Sequence, residues 1–84
     1  MFRTGVVGVG YVGLATAACL SHLGHSVLCV DKDEERTRAL EKGRVPFYEP
    51  GLEELVSRGI HAERLSFAGP DGLPRLVGET DVVL

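Results

Sequence analysis

The stretch Gly8-Val9-Gly10-Tyr11-Val12-Gly13 decides the fold of this chain, because its glycines follow the pattern G-x-G-x-x-G. An apolar run that ends at Val7 precedes this stretch, and a run rich in alanine follows it from Leu14. A second apolar run ends at Asp31, eighteen residues after Gly13. Strand, glycine turn, helix, strand and acid follow one another in the order of a dinucleotide-binding βαβ unit.

Each glycine of the turn has a predicted physical role. Gly8 ends the first strand and lets the chain turn through backbone angles that a Cβ would forbid. Gly10 leaves room for a pyrophosphate to approach the backbone, and Gly13 lets the following helix lie close to the strands. We expect this helix to begin near Val12, so that its free amide groups and the positive end of its dipole face the phosphates.

Asp31 is expected to select the cofactor. Its carboxylate lies where it would accept hydrogen bonds from ribose hydroxyls. A 2′-phosphate would sit beside it, and two unit charges 4 Å apart at an effective dielectric near 20 repel by about 4 kcal/mol. The acid therefore favours NAD over NADP, although Lys32 or Arg36 would offset part of the repulsion. By its spacing alone, Arg36 fits either a contact with the adenosine ribose or an exposed position on the next helix.

The composition is that of a small globular protein. The 84 residues are 44% hydrophobic and 25% charged, and they make at most one domain. Because the net charge is −3 and no cluster of basic residues is present, we expect no nucleic-acid-binding surface. Because no apolar run approaches the roughly 20 residues of a membrane span and the N-terminus lacks a signal-peptide layout, we expect a cytoplasmic protein with no membrane partner.

The cysteines and histidines predict no metal site. Cys19 and Cys29 are ten positions apart and form no metal or redox motif. Cys19 falls in the first predicted helix and Cys29 in the second strand, and we expect both to be reduced core residues. The histidines show no ligand spacing and are interpreted as surface or capping residues; they are His22, His25 and His61.

Alternation of apolar runs and helical segments predicts a parallel α/β fold. We expect strands at residues 3–7, 26–30 and 65–68, and helices at residues 12–23, 34–42, 50–58 and 73–77. Asp33 should cap the second helix and Pro50 should start the third, while Gly24, Gly43 and Gly59 should end the first three. Residues 81–84 read as the opening of a fourth strand. We therefore predict a Rossmann-like doubly wound parallel sheet that is incomplete. The chain looks cut short and contains about the first βαβαβ half of that fold.

Three longer motifs occur together and in order. They are VGVGYVGL at residues 7–14, GHSVLCVD at residues 24–31 and PFYEPGLE at residues 46–53, and DVVL follows at residues 81–84. With these motifs, essentially the whole chain resembles the N-terminal domain of the UDP-glucose/GDP-mannose dehydrogenase family. The resemblance implies that residues 1–84 are the N-terminal part of an NAD-binding Rossmann domain, without the family's central helical and C-terminal nucleotide-sugar-binding domains.

The resemblance also implies an activity for the whole protein. The family oxidises the 6-hydroxyl of a nucleotide sugar, with UDP-glucose as the favoured choice here, to a carboxylate in two hydride transfers to NAD. The intermediates are a cysteine thiohemiacetal and then a thioester, and the products enter polysaccharide biosynthesis. The catalytic residues of the family lie beyond residue 84, so neither Cys19 nor Cys29 is given that role. The full-length protein is expected to be a homo-oligomer that binds its nucleotide sugar through other domains.

The resemblance also implies roles for single residues of this chain that match positions of the family's motifs. Tyr11 and Val12 match positions that contact the dinucleotide at the glycine turn, where Gly8, Gly10 and Gly13 lie. Asp31 matches the acid on the adenosine ribose, and Arg36 matches a basic position at the same end.

Two alternatives stay open. One is a free-standing dinucleotide-binding or sensor module without catalysis, against which the exposed apolar edge of an unfinished strand counts. The other is a flavin enzyme, since FAD uses the same turn and acid; the segment YEPGLE at residues 48–53 counts against it. Within that segment Tyr48, Glu49 and Pro50 are expected to have structural roles, with Tyr48 packing the preceding loop.

Overall fold

A computed structural model describes residues 1–47 and 49–84 of the chain. Within them, the strands are β1 (Arg3–Val7), β2 (Ser26–Val30), β3 (Leu65–Ala68) and β4 (Val82–Val83). The helices are α1 (Tyr11–His22), α2 (Glu34–Glu41), α3 (Leu52–His61) and α4 (Leu73–Glu79), with a single 3-10 turn at Pro70–Gly72 before α4. The bounds predicted for the first three strands are confirmed.

The strands form one parallel sheet in the order β3-β2-β1-β4. The register pairs Val6 of β1 with Cys29 of β2, and Cys29 with Phe67 of β3. Because the strands are parallel, their carboxyl ends meet at one edge of the sheet, where ligands bind in open α/β folds. The Gly8 amide donates to the Val30 carbonyl over 2.8 Å at this edge.

Helices cover both faces of the sheet. On one face, α1, α2 and α3 bury the larger core cluster, which includes Val27 and Cys29 of β2. On the other face, Leu28 and Val30 of β2 pack with Leu76 of α4. Successive side chains of a strand point to opposite faces, so β2 supplies both layers in turn. This is the predicted Rossmann-like doubly wound sheet, confirmed over the described residues.

The ends of α1 and α2 follow the predicted local signals. Helix α1 begins at Tyr11, one residue before the predicted start, and Gly24 follows its last turn with φ 105°. That angle is in the left-handed region that favours glycine. Asp33 caps α2, and its carboxylate accepts a hydrogen bond from the Arg36 amide over 3.0 Å.

The prediction for α3 was wrong at both ends. The helix begins at Leu52 rather than Pro50, because Gly51 takes φ 86° and forms the N-cap. It continues past Gly59 to His61. Gly59 is buried where a Cβ would lie 2.7 Å from the Ser21 hydroxyl oxygen, so this glycine allows α3 to approach α1 closely and does not end the helix.

The cysteine prediction holds for one residue only. Cys29 is fully buried in the sheet, and burial raises the pKa of its thiol to about 12. Cys19 is exposed, so its predicted place in the core was wrong. It lies on the solvent side of α1, because the buried residues of that helix follow the other face; they are Leu14, Ala17, Ala18 and Ser21.

The histidines lie at surface and terminal positions, as interpreted from the sequence. His22 and His61 are exposed near the ends of α1 and α3. Nδ1 of the half-buried His25 accepts a hydrogen bond from the Phe2 amide over 3.1 Å. Among the described residues, no three metal-ligating side chains come together, and no helix has both the length and the apolar character that a membrane crossing requires.

Substituting Gly59 with Ala is expected to destabilise the protein by about 1 to 3 kcal/mol, because the new methyl group would overlap Ser21 and Leu65. Gly78 in α4 is the matched control, since no described atom outside its own helix and its chain neighbours lies within 4 Å of the position of its Cβ. Gly78→Ala should stabilise by about 0.5 to 1 kcal/mol through helix propensity alone. Urea denaturation measures both changes, and equal effects of the two substitutions would contradict the packing role of Gly59.

Candidate functional site

The glycine turn between β1 and α1 places one buried residue between the half-buried Gly8 and the exposed Gly10. Gly8 has φ 93°, which a residue with a side chain rarely adopts. Val9 is fully buried and anchors the turn in the core. Gly10 is exposed and extended, and its carbonyl accepts the first hydrogen bond of α1, from the Leu14 amide over 2.9 Å. The main chain of the turn is therefore held firmly while one side of it stays open.

Gly10 and Gly13 lack side chains for different reasons. A Cβ on Gly13 would overlap the Gly8 carbonyl oxygen, so this residue allows α1 to start directly against the turn. A Cβ on Gly10 would meet no described atom within 4 Å. Packing within the protein therefore does not require glycine at position 10, whereas a ligand lying over the turn would. The open space at Gly10 is where we predict a pyrophosphate to approach the main chain.

The start of α1 is suited to an anion. The first amides of a helix have no partner within it, and the helix dipole places partial positive charge there. Tyr11 and Val12 begin α1, and both side chains are exposed. The residues over which we predicted the pyrophosphate to lie are therefore at the surface, next to the open side of Gly10.

Asp31 joins the turn to the end of β2. One carboxylate oxygen, Oδ2, accepts a hydrogen bond from the Val9 amide over 2.8 Å, and the other accepts one from the Asp33 amide over 2.8 Å. Only 10% of the Asp31 side chain is exposed. Each oxygen of a carboxylate has two acceptor sites, so both retain one for a ligand hydroxyl. The bond to Val9 was not foreseen from the sequence.

The surroundings of Asp31 keep it ionised. Burial acts to raise the pKa of this carboxyl, but the amide hydrogen bonds from Val9 and Asp33 and the charges of Arg36 and Lys32 outweigh burial. The net result is a pKa below the ordinary value for aspartate. Asp31 is therefore a carboxylate at neutral pH, as an acceptor of ribose hydroxyls must be.

Arg36 lies beside Asp31. Its Nη1 is 4.0 Å from Asp31 Oδ2, and its Nε is 3.9 Å from Asp33 Oδ2. Arg36 also lines a shallow hollow of about 240 Å³ with Ala39 and Pro46, next to the end of β2. The fold thus brings Asp31 and Arg36 together at the edge where the glycine turn lies.

Tyr11 has partners that the sequence analysis missed. Its ring and the Phe47 ring are nearly perpendicular, with a centroid distance of 5.8 Å and an interplanar angle of 82°. The negative charge of Glu49, together with a hydrogen bond to its carboxylate, raises the pKa of the Tyr11 phenol. Tyr11 and Glu49 both line a groove of about 430 Å³ between α1 and α3. Glu49 therefore contacts a predicted site residue, while the expected packing of Tyr48 lies outside the described residues.

Asp31→Asn is expected to destabilise the protein by about 1 to 3 kcal/mol at pH 7, because the charged acceptor of the buried Val9 amide is lost. A carboxyl with a lowered pKa stabilises the fold above its unfolded pKa of about 3.9 and loses this contribution as pH falls through its folded pKa. The difference between wild type and variant should therefore shrink below about pH 4. Urea denaturation between pH 3 and pH 7 tests this, and a difference independent of pH would contradict it.

Comparison with known proteins places this geometry in a family. The model for the NAD-binding domain of the UDP-glucose/GDP-mannose dehydrogenase family matches residues 2–84. The UDP-glucose 6-dehydrogenase of Rhizobium meliloti is 46% identical over 78 residues, which are 93% of this chain and 17% of that protein. The GDP-mannose 6-dehydrogenase of Pseudomonas aeruginosa is 39% identical over 80 residues, 95% of this chain and 18% of that protein.

A solved structure agrees with the sequence comparisons. The UDP-glucose dehydrogenase from the hyperthermophilic archaeon Pyrobaculum islandicum superposes with a TM-score of 0.91 at 38% identity, over 99% of this chain and 19% of that chain. The chain thus spans less than a fifth of the length of these relatives. Glycine turn, acid and parallel sheet all agree with the family match, and the chain belongs to the NAD-binding domain of the UDP-glucose/GDP-mannose dehydrogenase family.

Proposed function

We propose that this chain forms the cofactor-binding part of an NAD-dependent enzyme that oxidises the 6-hydroxyl of a nucleotide sugar to a carboxylate. One observation carries the proposal. Gly10, whose Cβ position is open, directly precedes the start of α1 in the glycine turn, and the Val9 amide of this turn is hydrogen-bonded to Asp31. This arrangement offers unpaired amides to a diphosphate and a carboxylate to a ribose diol.

Individual residues have defined tasks in this proposal. Gly8, Gly10 and Gly13 shape the turn, and the amides of Tyr11 and Val12 face the pyrophosphate. At the adenosine end of the cofactor, Asp31 accepts hydrogen bonds from the ribose, and Arg36 contacts the same end. When bound, NAD supplies the hydride acceptor. The residues of this chain bind and orient it.

We propose UDP-glucose as the substrate of the whole protein. Several similar proteins are UDP-glucose 6-dehydrogenases, and another is a GDP-mannose 6-dehydrogenase. Because these relatives are several times longer than this chain, the catalytic and sugar-binding residues are assigned to parts of the protein outside the 84 residues. We also propose that the whole protein is a cytoplasmic homo-oligomer and that its product is used in polysaccharide biosynthesis.

The tasks of the glycines are tested by Gly10→Ala against Gly13→Ala. At Gly10 the new methyl group has free space, so the fold should keep its stability while NAD affinity falls about ten- to a hundredfold through displaced phosphate hydrogen bonds. At Gly13 the methyl group overlaps the Gly8 carbonyl, so stability itself should fall. Calorimetric titration with NAD and thermal denaturation separate the two effects. Undiminished NAD affinity in Gly10→Ala would refute the site.

The reaction is tested with the complete natural protein that contains this chain. We expect NADH absorbance to rise with UDP-glucose and to reach two equivalents for each sugar oxidised, with little response to GDP-mannose or UDP-N-acetylhexosamines. Protein that binds NAD but oxidises none of these sugars would point to a binding module without catalysis. Flavin absorbance in the purified protein would point instead to a flavin enzyme.

A further inference from the structure

We propose that Asp33 is a second determinant of cofactor choice, which acts by holding the Arg36 guanidinium away from a 2′-phosphate. The inference rests on the placement of the adenosine ribose at Asp31 under the proposed function. It does not depend on which sugar is oxidised. It gives Asp33 a role beyond that of the helix cap predicted from the sequence.

Asp33 is held in place by three interactions. Its amide donates to Asp31 Oδ1 over 2.8 Å, and its own Oδ1 accepts from the Arg36 amide over 3.0 Å. Its Oδ2 lies 3.9 Å from Arg36 Nε. These contacts place the negative charge of Asp33 beside Arg36, two residues beyond Asp31.

Arg36 is therefore shared between two carboxylates. Its Nη1 is 4.0 Å from Asp31 Oδ2 while its Nε faces Asp33. One cation between two anions leaves a net charge of −1 in this group. A 2′-phosphate would need an arginine free to pair with it, since NADP-binding sites of this fold use such a residue. Asp33 removes Arg36 from that task.

The charged groups around Asp33 and Arg36 carry both signs. Glu34, next along α2, pairs with Arg38 at 3.8 Å on the exposed surface. Lys32 is exposed, and its charge acts on Asp31 together with that of Arg36. Glu35 lines the same hollow as Arg36 and adds a further negative charge. Glu35 thus adds to the repulsion of a dianionic phosphate, and Lys32 offsets part of it.

The helix cap at position 33 does not require a charge. An N-cap needs a hydrogen-bond acceptor, and asparagine or serine serves about as well as aspartate. Charge and cap can therefore be separated by substitution. Asp33→Asn keeps an acceptor for the Arg36 amide and removes only the charge that faces the guanidinium.

The test compares Asp33→Asn with Glu41→Gln in the complete natural protein. Glu41 is the last residue of the same helix, eight residues and about 12 Å along the helix axis from Asp33. This distance exceeds the screening length of about 8 Å in physiological salt. Calorimetric titration at 0.15 M salt gives the Kd for NAD and for NADP. We expect Asp33→Asn to lower the Kd for NADP about tenfold, the effect of one nearby unit charge, and to leave the Kd for NAD within about twofold. Glu41→Gln should change neither Kd.

A second substitution tests the role of the arginine. In Asp33→Asn combined with Arg36→Ala, the gain in NADP affinity should disappear. An unchanged Kd for NADP in folded Asp33→Asn, or a gain that survives the loss of Arg36, would overturn the proposal. Should Asp33→Asn fail to fold, Asp33→Ser carries the same comparison because serine also caps helices. Failure of sugar oxidation would leave these binding constants untouched, so the two proposals are tested separately.

Discussion

The hydrogen bond from the Val9 amide to the Asp31 carboxylate is the interaction on which the site depends. It joins the glycine turn after β1 to the end of β2, two segments 22 residues apart in the chain. Each oxygen of the same carboxylate retains one acceptor site. The group proposed to bind the ribose therefore also holds the loop proposed to bind the diphosphate, so the two halves of the site keep a fixed separation before any ligand arrives.

Local chemistry made much of the fold predictable. The continuous apolar run of β2 is typical of a strand covered on both faces, and the structure buries it between α1 and α4 layers. Asp33 was recognisable as a cap, and Gly24 as a residue in the left-handed region. In each case the signal lies within a few residues of the feature that it determines.

The errors came from contacts between distant segments. Gly59 has the residue type of a helix terminator, yet its burial against Ser21 lets α3 run on beside α1. Cys19 has an apolar side chain, but the direction in which α1 packs decides that it faces solvent. The contacts that Tyr11 makes with Phe47 and Glu49 likewise depend on how a loop folds back over α1. No pattern within one segment reports such pairings.

The parallel register of β1 and β2 has a consequence for folding. Val7 pairs with Val30, and the residues that follow them carry the turn and the acid. Since each strand residue advances about 3.3 Å, a shift of β2 by one position would separate the Asp31 carboxylate from the Val9 amide. The same shift would exchange the residues that face the two helical layers. The complete ligand surface therefore requires the correct alignment of β1 and β2.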